Sequence, residues 1–267
     1  MENKQIKSKN RVVDHGEVLT PDWLVNDMLD LIPLDASKIS SRYLENSSGE
    51  GAFLLGILQR KLDIVFEMYD APEELEFYTI VGLANIYGIE LLKDNLEISQ
   101  VRLRRLIQAY FKQHSITPSP SFLETIDHIL NINIINMNAI NFFVPLFNNH
   151  VLVRDNENNI LYEDLGRISE WEIDYRNKQI QRVEYIYKDV VEEQQGRFHY
   201  EQSLLNEEPM QLSLFDLTGE QDLFVEEKYI KKAIPIRIFE KVPFLDLVKA
   251  TIVKDGELSD KRLLSDV

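Results

Sequence analysis

Cysteine is absent from this chain of 267 residues, which excludes disulfides and thiolate metal sites. No two of its nine prolines are adjacent. No apolar run approaches the length that spans a bilayer, and the basic first residues are not followed by a signal-peptide core, so the expectation is a cytoplasmic protein with no membrane partner. Cationic residues are scarce: 29 Lys and Arg stand against 45 Asp and Glu, a net charge of −16. Such a surface repels a phosphate backbone, and that excludes a chain that coats DNA by itself. The histidines at 15, 114, 128, 150 and 199 show no paired metal-ligand spacing, so each is read as a surface or hydrogen-bonded polar residue.

What the chain does have is 44% hydrophobic and 28% charged residues, the balance of one large or two smaller globular units. Its organising stretch is Arg42 to Leu62. A short apolar strand ends near Leu44, Ser47-Ser48-Gly49-Glu50-Gly51 turns the chain, and apolar residues at 53, 54, 57, 58 and 62 mark one face of a helix. Glycine takes positive φ freely and lets a ligand approach the backbone, while the helix start offers unpaired N–H groups. Chain reversal alone also explains two glycines; a nucleotide-like ligand is the functional alternative. Upstream, Thr20-Pro21 reads as a cap and first-turn proline for a helix over 22–32 that Pro33 ends. Downstream, 62–75 reads as a polar connection, and the apolar run 77–92 as the bearer of a second strand near 85–90 that ends on Glu90. Helices follow over 94–112 and 122–130, then a third strand over 132–135. Three parallel strands with crossover helices form half of a doubly wound sheet, with all carboxyl ends on the ligand edge. Beyond 144 the pattern predicts hairpins, one joining 151–154 to 159–162 and one within 169–186. From Glu201 to Glu227 acidic residues occur with no Lys or Arg, the pattern of an exposed linker.

Three segments in this order, the last of them Tyr87-Gly88-Ile89-Glu90-Leu91, resemble the adenine-N6 DNA methyltransferases of restriction-modification systems, enzymes that use S-adenosylmethionine (SAM). Gly16-Glu17-Val18-Leu19-Thr20-Pro21 is similar to the family's Gly-Glu-Val-Phe-Thr-Pro, and Asn46 to Leu54 lies over its Pro-Ala-Cys-Gly-x-Gly-x-Phe-Leu with the Pro-Ala-Cys replaced. The resemblance implies that Thr20 and Pro21 cover the methionine part of SAM. It also implies that Asn46, Gly49, Gly51 and Phe53 form the motif turn, that Glu90 holds the ribose hydroxyls, and that Asn138 touches the adenine. Asn138 is equally well read as a turn residue. The implied fold is α/β, a partial Rossmann-like methyltransferase sheet carrying a β-rich, irregular C-terminal region. Its divisions are a flexible tail (1–15), a SAM-binding domain (16–143), a hairpin-rich insertion (144–200), an acidic linker (201–228) and a C-terminal segment (229–267).

The family's catalytic Asn-Pro-Pro-Tyr or Asp-Pro-Pro-Tyr is absent, since no Pro-Pro occurs. That motif accepts hydrogen bonds from the target amino group and stacks on the flipped base, so the resemblance supplies no catalytic residue. Three readings follow. The chain is a SAM-binding subunit or front half of a methyltransferase, reaching DNA through a catalytic partner chain; or a methyltransferase-like regulatory module without catalysis; or an unrelated nucleotide-binding α/β protein. A bare edge on the first strand favours the first reading, whereas a module would cover that edge, with 234–244 as the candidate. Within the acidic linker, Gln211-Leu212-Ser213-Leu214-Phe215 resembles the peptide that docks replication and repair proteins on the DNA sliding clamp, although the same residues can pin a loop to the core.

Overall fold

The computed structural model describes residue 11 and residues 20–32, 38–195 and 232–256. Residues 16–19 of the first matched segment, the acidic linker and its Gln211–Phe215 peptide lie outside these. The chain is α/β. Helix α1 (Asp22–Asp30) starts from Pro21, whose carbonyl accepts from the Leu24 and Val25 amides. The side-chain cap expected from Thr20 is not formed, because the helix begins one residue later than the Thr-Pro reading places it and Pro21 itself is the N-cap. Strand β1 (Tyr43–Glu45) leads through the glycine turn into α2 (Ala52–Met68), whose buried face carries Leu54, Ile57, Leu58, Leu62 and Val65. Helix α3 (Pro72–Ala84) follows, then β2 (Ile86–Glu90), α4 (Lys93–Gln113), α5 (Pro120–Asn133) and β3 (Ile134–Asn136).

One expectation between 62 and 85 fails and one element is unforeseen. Residues 62–68 continue α2 in place of a polar connection, and α3 fills 72–84 ahead of the strand expected near 85–90, which forms as β2. The physical reason is burial. Leu75, Glu76, Phe77 and Thr79 to Ala84 are all buried, so α3 has no polar face to produce a helical period, and a helix that is apolar all round reads like an interior strand. Its one buried charge is used: Glu76 accepts from the Ser119 amide (2.6 Å) and hydroxyl (3.0 Å), holding the residue whose Oγ caps α5.

Strand β2 lies between β1 and β3, with both pairs parallel; Glu45 is opposite Gly88, and Glu90 opposite Asn136. Parallel pairing places the carboxyl ends of all three strands on one edge. After β3 come β4 (Phe143–Pro145), β5 (Phe147–Asn148), β6 (Val151–Leu152) and β7 (Tyr162–Leu165). The hairpin expected between 151–154 and 159–162 forms around a bridge from Arg154 to Ile160, with Leu161 N–H donating to the Val153 carbonyl and Asp155 N–H to the Asn159 carbonyl, both at 2.9 Å; its outer residues pair elsewhere, β6 with β5 and β7 with β4. A long hairpin follows, β8 (Arg167–Asp174) and β9 (Gln179–Ile186), and residues 187–195 are helical. Strands β10 (Arg237–Phe239) and β11 (Val242–Pro243) pair with β9; a 3-10 helix (Phe244–Lys249) precedes β12 (Ile252–Asp255), which pairs with β10. The segment 234–244 therefore lies on β9 and not along β1. Trp171, Ile180, Phe244 and Leu247 are buried in the same apolar core as α2 to α5, so the two sheets share one interior. Among the described residues no helix is long and apolar enough to cross a membrane.

Candidate functional site at the carboxyl edge of the parallel sheet

The site is built around the turn from β1 to α2. Gly49 and Gly51 have φ of 53° and 79°, the left-handed region that glycine takes without a Cβ penalty. The two glycines serve different ends. A Cβ on Gly51 would stand 2.9 Å from Ser99 Cβ, so the second glycine lets the turn close on α4; a Cβ on Gly49 would meet nothing within 4 Å, so the first faces open space. The turn is fastened from three sides. Ser48 N–H donates to the Ile89 carbonyl (3.0 Å), Arg102 Nη1 to the Glu50 carbonyl (2.8 Å), and Gly49 N–H to Glu90 Oε2 (2.7 Å).

Glu90 ends β2, is buried, and accepts from the Leu92 amide as well, through Oε1 at 2.8 Å. Its carboxylate thus joins the glycine turn to the exit of β2. Asn136 joins β3 to the same place, donating from Nδ2 to the Glu90 (2.8 Å) and Leu91 (3.0 Å) carbonyls, while Met137 N–H donates to the Glu90 carbonyl (3.1 Å). The strand exits therefore converge on a carboxylate, a positive-φ turn and the amino end of the long helix α2, whose first-turn N–H groups point toward this edge. A ligand with adjacent hydroxyls and a polar or anionic group suits that set.

Of the predicted residues, Gly49, Gly51 and Glu90 come together in this arrangement. Asn46 is exposed just beyond β1, and its Oδ1 accepts from the Tyr187 hydroxyl at 3.3 Å. Phe53 is half-buried and packs on the core beneath the turn. Thr20 and Pro21 are half-buried at the start of α1, which packs on α2 where Val25 and Leu29 crowd Gly56. Asn138 is the turn residue that the alternative reading describes. Its Oδ1 accepts from the Ile140 amide (2.9 Å), its Nδ2 donates to the Tyr162 hydroxyl (2.7 Å), and its backbone closes both ways on Phe142 and Phe143.

Sequence reasoning missed Ser48, Gly88 and Tyr187. A Cβ on Gly88 would stand 2.7 Å from Leu54 Cδ1 and 3.1 Å from Ser48 Oγ, so this glycine makes the room in which the turn sits on β2. A glycine inside the apolar run Tyr87-Gly88-Ile89 was the available signal. Ser48 is buried with its Oγ unpartnered among the described residues. For Tyr187 no local signal exists, since it reaches Asn46 only through the fold. Behind β1, Lys61 is buried and donates to the Ile39 (2.7 Å) and Ser41 (2.6 Å) carbonyls, setting the approach to the strand. Burial pulls its amine down to about 7. A cavity of about 500 Å³ lies between β1 and the second sheet, lined by Arg42, Tyr43, Leu44, Glu170, Tyr185 and Lys232 among others. Comparison with protein families, curated proteins and solved structures gives no match for this chain.

Proposed function

We propose that the chain is the SAM-binding half of an adenine-N6 DNA methyltransferase of the restriction-modification kind, and that a partner chain supplies the catalytic strand and its Pro-Pro motif. The observation that carries this reading is the hydrogen bond from Gly49 N–H to Glu90, across a β1–β2–β3 parallel sheet whose strand exits share one edge. In the Rossmann-like half sheet that the resemblance implies, the glycine turn follows the first strand, the ribose-binding carboxylate ends the second, and the two must stand side by side. Here they do. Among the described residues β1 pairs with β2 alone, while 234–244 is used elsewhere, which supports an incoming strand from another chain. In this reading Glu90 holds the ribose hydroxyls, the turn and the start of α2 hold the rest of SAM, and the partner orients the adenine amino group and takes its proton.

A second reading is favoured by a specific observation: the Glu90 carboxylate already accepts from the Gly49 and Leu92 amides, and Asn138 is committed to its own turn. A site closed on itself suits a regulatory module that has lost SAM. Calorimetric titration with SAM separates the two. The proposed function expects measurable heat at millimolar SAM or below; no heat there sinks it and leaves the module.

A further inference from the structure

Strand β1 is hydrogen-bonded along one side only. Tyr43 N–H donates to the Asn85 carbonyl (2.9 Å), and Tyr43 and Glu45 stand opposite Ile86 and Gly88, so the peptide groups of these two residues are engaged with β2. Successive residues of a strand turn their peptide groups to opposite sides, which aims the N–H and C=O of Leu44 away from β2. No described strand lies there. Leu44 is itself 44% exposed, beside a β2 that is buried throughout.

Leu44 and its register partner Tyr87 both line the cavity of about 500 Å³ between β1 and the second sheet. Tyr87 is 6% exposed, and its hydroxyl makes no hydrogen bond among the described residues. Burial keeps this phenol protonated, so a donor stands at the cavity without an acceptor. Buried polar groups are nearly always paired, and such a donor calls for an acceptor that arrives from outside. Across the cavity stand Ile168 of β8, Tyr185 of β9 and Val190. A strut holds the two walls apart: Arg42 reaches from β1 to Glu170 of β8 (2.5 Å), and Tyr185 is hydrogen-bonded to the same carboxylate. A small organic ligand would fill the cavity and leave the Leu44 peptide groups idle, whereas an added strand uses both.

We propose that the open side of β1 seats an extended segment of the partner chain, which adds a strand beside Leu44 and sends alternate large side chains into the cavity. This rests on the partner reading for the identity of the occupant and goes beyond it in naming the surface. On the added strand, the residue opposite Leu44 points to the Leu44 and Tyr87 face, because paired residues share a face. The next residue on that face lies two positions along, about 6.6 Å away. The cavity has the size of a small-molecule site, more than one side chain fills, so both residues are large and one carries the acceptor for Tyr87. Tyrosine meets both conditions. Main-chain bonds then supply affinity and the cavity supplies specificity, as in other strand additions to a sheet edge.

The probe is a fluorescein-labelled heptapeptide with blocked ends, Thr-Tyr-Val-Tyr-Val-Tyr-Thr, whose tyrosines share one face. Its binding to the full chain is followed by polarisation. Only one edge of the peptide meets β1, so N-methylation of alternate amides in one phase should weaken binding at least tenfold, and in the other phase by less than about threefold. Leu44→Pro removes the outward N–H and leaves the β2 ladder intact, so it should abolish binding and melt close to the parent. Tyr87→Phe keeps the ring and should weaken binding about 2–10-fold. No binding at millimolar peptide, equal losses in the two phases, or binding that survives Leu44→Pro would each overturn the docking edge. If Leu44→Pro does not fold, the two phases decide alone, since they leave the chain unaltered. A parent chain that elutes as a dimer, and as a monomer after Leu44→Pro, would also overturn it by giving the edge to a second copy. SAM titration separates the two levels: SAM heat without peptide binding removes the docking edge alone, whereas peptide binding without SAM heat keeps the edge and removes the methyltransferase reading.

Discussion

Glu90 is the residue on which the cofactor reading can be tested most directly. Its two amide donors, Gly49 and Leu92, stand at opposite sides of the carboxylate, so a ribose diol approaching this edge shares the acceptor with them. Hydrogen bonds to a charged acceptor are worth on the order of 1.5–3 kcal/mol each, and their loss in Glu90→Ala is expected to weaken SAM binding at least tenfold by titration. Unchanged affinity would remove Glu90 from the site. Lys61 makes a second prediction at this scale, with the sign of acid denaturation but in an alkaline window. Its folded amine titrates near 7 and its ordinary value is 10.5, so between those values the unfolded chain binds more protons than the folded one. Stability contributed by this group is therefore absent below pH 7 and grows as pH rises toward 10.5. The two carbonyl acceptors are served by neutral and charged amine alike, and Lys61→Met leaves both without a donor. The melting temperature of the parent should climb more steeply from pH 7 to 10 than that of Lys61→Met; parallel profiles would show that the amine is not displaced.

Among the elements, one buried amide bonds at once to the parallel sheet, to α3 and to the β8–β9 hairpin from the end of α5. Asn133 Nδ2 donates to the Ile86 (3.0 Å) and Ala84 (3.2 Å) carbonyls, and its Oδ1 accepts from Trp171 Nε1 (2.9 Å). Asn133→Ala would strand buried polar groups on three elements, at a cost of about 2–4 kcal/mol, which in a chain of this size lowers Tm by several degrees. A melt unchanged within one or two degrees would contradict this, about the limit of such a measurement. Asn133 also shows where the sequence falls silent. Helices α2, α4 and α5 were legible because each has one wet face, so their apolar residues recur at helical spacing. Helix α3 was not, because it is covered on nearly every side. The glycine turn and Glu90 were legible as chemistry at fixed positions in strand exits. The long β8–β9 hairpin was also legible, from its alternation. Tyr187 on Asn46, Trp171 on Asn133 and Ser99 beneath Gly51 were not, since each pairs residues far apart in the chain whose types suit many other roles. Asn138 was legible only as two alternatives, because one amide suits a turn and an adenine equally.

For the whole molecule the question is whether the proposed SAM site at the carboxyl edge of the parallel sheet suffices for methyl transfer. The core is continuous from α2 to the 3-10 helix, so the antiparallel sheet is part of the same body as the parallel one. What it adds near the carboxyl edge is Tyr187 and the packing of residues 187–195 on Met137 and Ile89. Among these residues Tyr187 is bonded to Asn46, and burial holds its hydroxyl above the ordinary range, so at neutral pH it stays protonated and is no base for an adenine amino group. Methyl transfer to that nitrogen needs an acceptor that orients the amino group, an aromatic face for the extruded base and a donor methyl in line. A misplacement of about 1 Å at such a centre costs on the order of a hundredfold in rate. The chain's groups at the edge are of the kind that hold a nucleoside, and no Pro-Pro motif accompanies them. The expected outcome is that the purified chain, given tritium-labelled SAM and DNA of mixed sequence, places no label in adenine above the no-protein control. With the proposed partner added, label appears, and Glu90→Ala in this chain reduces it at limiting SAM. Label transferred by this chain alone would overturn the division of labour.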